Sequence, residues 1–245
     1  MALEIERRFL VEGSGWRSRV SWQAWLRQGY LRSDPDGFTL RVRLSRAEPA
    51  GPALSAEVRD SGAAKPLSES AAERRRDASS QQAWLTLKAA PPAAAEAAFA
   101  SLDQAERNRV LQVAPAAAAV VGPNLSSRAL TRLEFEYAIP PNDAEQLLTL
   151  AHGCVEKRRY GLDLPDGDWV VDVFEADNAP LVVAEVELPH AEAKVDRPAW
   201  CGVELTGVHQ LSNAALAARP WNRWPVCERE ALLAGRPLGP SPVSP

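Results

Sequence analysis

The chain has 245 residues, 46% hydrophobic and 24% charged, which predicts a folded globular protein with one large domain or two small ones. A formal net charge of -4 argues against bulk attraction to nucleic acid or to an anionic membrane, so any anion site must come from local clustering of basic side chains. No apolar run approaches a membrane span, and Glu4 and Glu6 stand where an export signal needs basic and then apolar residues, so a cytoplasmic protein is expected.

The first eleven residues, MALEIERRFLV, predict a β-strand with Glu4, Glu6 and Arg8 on one face and Ile5, Phe9 and Val11 on the other. Gly13–Gly15 breaks it, and a short helix is expected over Trp16–Leu26, capped by Ser14 or Ser18. Gln28–Leu31 starts a second strand, Asp34-Pro35-Asp36-Gly37 has turn composition, and Phe38–Leu44 forms a third strand with Arg41 and Arg43 opposite Leu40, Val42 and Leu44. Residues 46–82 are rich in Pro and Gly and read as an insertion; their Arg74–Arg76 run is expected to be a solvated helix face with Glu and Asp partners. Ala83–Ala89 is the next strand, with Trp84, Thr86 and Lys88 alternating with Leu85 and Leu87. A second insertion, Ala- and Pro-rich with a helix near 93–112, occupies residues 90–127.

Leu130–Ile139 predicts a strand with Arg132, Glu134 and Glu136 against Leu133, Phe135 and Tyr137. After Pro140-Pro141 a helix capped by Asn142 or Asp143 runs to about His152. Cys154–Leu162 places Lys157 and Arg159 in phase, and the turn Pro165-Asp166-Gly167 leads into Asp168–Glu175, with Asp168, Val170, Asp172 and Phe174 on one side. Leu181–Leu188 carries Glu185 and Glu187 opposite Ala184, Val186 and Leu188. A helix near His209–Ala218 precedes a Trp- and Pro-rich segment, and Leu238–Pro245 has the composition of a disordered end.

Nearly every strand therefore sets charged residues of mixed sign at spacing two against an apolar face. A closed antiparallel barrel of about eight strands, α+β in class, accounts for this: charges line the lumen, and helices at 16–26, 142–152 and 209–218 cover the outside. Arg and Lys converging from several strands suit a ligand with several phosphate groups. The carboxylates would repel such a ligand unless a divalent cation lay between them, and oxygen donors without His or Cys select Mg²⁺ or Mn²⁺. The three cysteines (Cys154, Cys201, Cys227) form no CxxC and read as reduced, small buried hydrophobes; the three histidines form no HExxH; neither GxxxxGK(S/T) nor GxGxxG occurs. Zinc, P-loop and dinucleotide chemistry are thereby disfavoured.

EIERRFLV, followed in order by QGYL, RVR, LTLK, TRLEFEY, KRRY, WVVDVFE and AEVEL, resembles the CYTH domain of the triphosphate tunnel metalloenzymes, with EIERR in place of the ExExK signature. The resemblance covers roughly residues 3–224, read as one domain 1–224 with insertions at about 46–82 and 90–127 and a C-terminal tail 225–245. It implies an eight-stranded tunnel that hydrolyses inorganic triphosphate to pyrophosphate and phosphate with Mg²⁺ or Mn²⁺. Glu4, Glu6, Glu185 and Glu187 would be metal ligands; Arg8, Arg41, Arg43, Lys88, Arg132, Lys157 and Arg159 would hold phosphates. Glu134 and Asp172 would line the tunnel and help a second metal or the attacking water, with Arg8 in the catalytic Lys position. Thiamine triphosphatase, class IV adenylyl cyclase and a non-catalytic polyphosphate- or nucleotide-binding module are the alternatives. No nucleobase pocket is visible in the sequence. The expected partners are a small phosphorylated substrate and, by relatives, a second copy as a homodimer; nucleic acid and membrane are not expected.

Overall fold

The computed structural model describes residues 2–34, 38–49, 81–89, 130–188 and 193–236, with backbone alone at 2–4 and 130–132. The turn at 35–37, most of both insertions (including Arg74–Arg76 and the helix expected near 93–112) and Leu238–Pro245 lie outside the described residues.

Nine antiparallel strands form one sheet: β1 (Ala2–Val11), β2 (Val20–Ser33), β3 (Thr39–Glu48), β4 (Gln81–Ala89), β5 (Leu130–Ile139), β6 (Cys154–Leu162), β7 (Asp168–Phe174), β8 (Val182–Glu187) and β9 (Cys201–Glu204). Their spatial order is β5-β4-β3-β2-β6-β7-β8-β1-β9, and β1 pairs in addition with β5, Glu4 standing opposite Arg132. Helices are few among the described residues: α1 (Pro141–Thr149), α2 (Asn213–Ala218) and α3 (Val226–Leu233). None is long and apolar enough to cross a membrane. The antiparallel, mostly β architecture matches the sequence reading, with β9 as a strand that reading did not include.

The helix expected over Trp16–Leu26 is not there. A short 3-10 turn at Gly15–Arg19 leads directly into β2. Val20, Trp22, Ala24 and Leu26 alternate at the period of a strand, and β2 hydrogen-bonds along both edges, to β3 and to β6. That pairing decides a segment whose apolar residues fit a helix almost as well.

One face of the sheet, the outer face of the barrel expected from sequence, is apolar as expected; the nine strands form one sheet, whose closure into that barrel is not shown. Around β1, β7 and β8 it buries Ile5, Phe9, Trp169, Val171, Ala184 and Val186 with Trp16. Around β3 and β4 it buries Val42, Leu44 and Ala83 under Ala144 and Leu148 of α1. Gly29 lets α1 approach β2: a Cβ there would stand 2.6 Å from Leu148 and 2.8 Å from Ala151. The cap of α1 is Pro140, with no side-chain bond, rather than Asn142 or Asp143; Asp143 sits in the first turn, where a carboxylate meets the positive end of the helix dipole.

The third expected cover, at 209–218, is corrected in both form and place. It consists of a 3-10 turn, His209–Leu211, and then α2, which Ser212 caps by accepting from the Ala215 amide. It does not lie on the outer face. Leu211, Leu216 and Ala217 pack with Leu10, Tyr30, Val155, Phe174 and Val183. Each of these strand residues is two positions from a polar inner-face residue (Arg8, Gln28, Lys157, Asp172 and Glu185 in turn), so α2 fills one end of the charged face. Trp221 and Trp224, which precede α3, and Leu232 of α3 join the same cluster.

Candidate active site

On the inner face, strand register converts the sequence alternation into two walls of charge. In the β6–β8 wall, Arg159 lies opposite Asp172 across β6 and β7, and Arg8 opposite Glu185 across β1 and β8. Asp172 accepts from Lys157 Nζ at 2.5 Å and from Arg159 through both oxygens at 2.7 Å. Glu185 accepts from Arg159 at 2.6 Å and from Arg8 Nε at 3.1 Å, so both its oxygens face guanidinium groups. The C-terminal segment reaches this wall: Arg8 Nη1 donates to the Leu211 carbonyl, and Lys157 Nζ to Asn213 Oδ1.

Burial and charge shift these groups in opposite directions. Removal from water pushes the Lys157 ammonium down to about 8; Asp172 opposes that shift and Arg159 adds to it. Burial also works against the Glu185 carboxylate, but Arg159, Lys157 and Arg8 together outweigh it and hold the group well below the usual carboxylate range. The Arg159 guanidinium is raised, burial being outweighed by Asp172 and Glu185.

The second wall runs over β3, β4 and β5. Arg41 lies 3.5 Å from Glu134 and 3.7 Å from Glu136, and Lys88 lies 3.3 Å from Glu134. Arg43 pairs with Glu136, which also accepts from Thr86 at 3.1 Å. Thr86 in turn accepts from Arg41 at 3.0 Å.

At the β1–β8 junction Glu6 stands directly opposite Glu187, and Asp168 stands opposite Glu187 from β7. Like charges facing each other across strands destabilise a sheet. A row of carboxylates without His or Cys fits a hard divalent cation. Among the described residues no group of three or more His, Cys, Asp or Glu side chains is gathered closely enough to hold a metal. Of the expected ligands, Glu6 and Glu187 are brought together, Glu185 is engaged by two arginines, and Glu4 is placed by its backbone register beside Arg132.

No protein-family model matches the chain. It is 36% identical over 101 residues to an inorganic triphosphatase from Acetivibrio thermocellus and 38% identical over 96 residues to one from Nitrosomonas europaea. Over part of its length the chain is thus similar to two inorganic triphosphatases. The matches cover 40% and 38% of this chain and span 65% and 64% of those relatives, just under two thirds of their length. The crystal structure of an inorganic triphosphatase aligns over 89% of this chain and 96% of its own at 25% identity and a TM-score of 0.45.

Several polar residues of this site were not singled out from sequence. Gln28 is buried on β2 opposite Arg43, and its Nε2 has no partner among the described residues; neither has Arg8 Nη2. Asn213, the Leu211 carbonyl and Thr86 complete the two walls. A glutamine in an apolar run carries no motif. Its strand phase, shared with Leu26 and Tyr30, was the available signal, and the expected helix over Trp16–Leu26 obscured it.

Proposed function

We propose that this chain hydrolyses inorganic triphosphate to pyrophosphate and phosphate with the help of Mg²⁺ or Mn²⁺. One observation carries the reading: six cations in two walls share a sheet face with the opposed carboxylates Glu6 and Glu187. The triphosphatase names of the two relatives support it. The pairing of β1 with β5 as well as β8 supports closure of the sheet into a tunnel around that face.

In this reading Glu4, Glu6 and Glu187 hold the metal, and Glu185 joins them only if its arginines turn to the substrate. A bound divalent cation supplies charge neutralisation at the phosphate oxygens and a fixed orientation for them. Arg41, Arg43 and Lys88 bind phosphate from one wall and Arg8 and Arg159 from the other, with Arg132 added by its register. The unpartnered nitrogens of Arg8 and Gln28 add donors. Arg8 binds phosphate and keeps its proton, since a guanidinium stays charged at any working pH. Asp172 and Lys157 position their neighbours, because both oxygens of Asp172 are already taken. Glu134, whose ion-pair contacts to Arg41 and Lys88 are 3.5 and 3.3 Å among the described residues, orients the attacking water. The water oxygen bonds to the terminal phosphorus, the bridging P–O bond breaks, pyrophosphate leaves, and the water proton is released to solvent.

Phosphate release from tripolyphosphate, measured with Mg²⁺, with Mn²⁺ and with chelator, tests the proposal. Metal-dependent release is expected. Binding without turnover under all three conditions would place the chain among non-catalytic polyphosphate binders.

A further inference from the structure

By alternation the inner face of β2 carries Trp22, Ala24, Leu26, Gln28 and Tyr30, with Gln28 as its one amide. Gln28 is 1% exposed, and its neighbours Leu26, Tyr30 and Val155 are buried with it. Its Nε2 meets no hydrogen-bond partner among the described residues. Burying an amide without a bond costs free energy, whereas an apolar side chain of the same length would pack there without that cost. The packing of β2 therefore gives no reason for a glutamine.

The place of β2 in the sheet does. The strand lies between β3 and β6 and so joins the two charged walls. Gln28 stands opposite Arg43 of β3 and opposite Val155 of β6, two positions from Lys157. On the same face Trp22, Ala24 and Leu26 line a cavity of about 350 Å³, together with Trp84, Arg43 of one wall and Arg159 of the other. The space between the walls thus runs over β2, and Gln28 is the next residue on that face after Leu26.

We propose that Gln28 is a specificity-determining residue: its Nε2 donates to an oxygen of the middle phosphate group of a triphosphate whose ends are held by the two walls, so that the site prefers a chain of three phosphates to a chain of two. The cations of the walls attract any anion over several ångströms, whereas an uncharged N–H contributes only when an oxygen sits within about 2.7–3.2 Å of it. A chain of three phosphates keeps one group for the strand between the walls after its two ends are taken. Pyrophosphate has none left. The inference rests on the triphosphate reading, because the walls mark phosphate ends only if they hold phosphate.

The test measures tripolyphosphate and pyrophosphate binding by calorimetry for the wild-type chain, Gln28→Met and Gln28→Glu, with phosphate release and melting temperature followed for each. Gln28→Met keeps the length and removes the donor. It is expected to lower tripolyphosphate affinity about tenfold, the worth of one hydrogen bond to a charged acceptor, and pyrophosphate affinity no more than about twofold. Its melting temperature should be unchanged or raised, since the amide it replaces has no protein partner. Gln28→Glu keeps the shape but sets a carboxylate against the phosphate, and should lower tripolyphosphate affinity further. No loss in Gln28→Met, an equal loss for both ligands, or a loss that comes with a lower melting temperature overturns the inference; the triphosphatase reading then stands wherever the wild-type chain releases phosphate. A loss selective for tripolyphosphate in a chain that releases no phosphate upholds the role of Gln28 and overturns the catalytic reading.

Discussion

The β6–β8 wall and the β3–β5 wall each set three cations against two carboxylates, yet they are closed to different degrees. Asp172 is 0% exposed and its bonds to Lys157 and Arg159 are 2.5–2.7 Å, whereas Glu134 and Glu136 are 20% and 31% exposed; Arg43 holds Glu136 at 2.5 Å, but the contacts made by Arg41 and Lys88 are 3.3–3.7 Å. On the proposed function, a phosphate oxygen arriving at the second wall would replace partly hydrated carboxylates, an exchange of small cost. At the first wall it would meet cations already fixed, and take only the N–H groups that remain directed inward. One wall would then hold the geometry and the other adapt to the substrate.

The sharpest way to break this comparison is to neutralise one carboxylate in each wall. Asp172→Asn is expected to cost about 3–5 kcal/mol in urea unfolding, because Lys157 is left buried without its counter-charge and Arg159 keeps only Glu185. Glu134→Gln should cost no more than about 1 kcal/mol, since its contacts to Arg41 and Lys88 are 3.5 and 3.3 Å long and its carboxylate is 20% exposed. Equal costs would mean that the walls are not distinct.

Glu187→Gln belongs to neither wall and should separate activity from folding. A fall in kcat on the order of 100-fold is expected, with a melting temperature close to wild type. Activity near wild type at saturating metal would remove Glu187 from the metal site. A smaller effect, confined to the adaptable wall, is expected from Lys88→Ala: KM for tripolyphosphate rises about tenfold, the worth of one charge-assisted hydrogen bond, with kcat changed less. An equal fall in kcat would place Lys88 in the chemical step.

The smallest effect is a pH dependence that belongs to the closed wall. Lys157 titrates at about 8 in the folded chain against 10.5 in the unfolded one. Between those values the unfolded chain binds more protons, so stability rises with pH across that window, and the full cost of burying the ammonium is felt below about pH 8. Activity should run the other way. Loss of the proton frees Asp172 from one of its two cations, and kcat/KM should fall as pH passes about 8. In Lys157→Arg that alkaline limb should move upward; an unmoved limb would show that another group titrates.

Much of the site was legible because a strand reports itself through alternation. Arg41 and Arg43, Lys157 and Arg159, and Glu185 and Glu187 stand at spacing two and share a face wherever the strand pairs. Partner choice was not legible. Nothing in WVVDVFE or KRRY says that Asp172 closes on Lys157 and Arg159; that follows from β6–β7 register. Glu185 and Glu187 read alike in sequence, yet one lies opposite Arg8 and the other opposite Glu6. The Trp16–Leu26 stretch misled because its apolar residues satisfy two periods, and hydrogen bonding along both edges of β2 favoured the strand.

By itself, then, the sequence determined that charged and apolar faces back each other along successive strands, that the cations suit phosphate, and that no His or Cys set competes with oxygen for a metal. Those are properties of residue type and of a period of two, which the local chain carries. Tertiary structure alone decided which carboxylates are bound by arginine and which face each other, that α2 fills the inner end instead of covering the outside, and that Trp22 and Trp84 meet beside Arg43 and Arg159. Each depends on register between strands distant in sequence, which no single segment encodes.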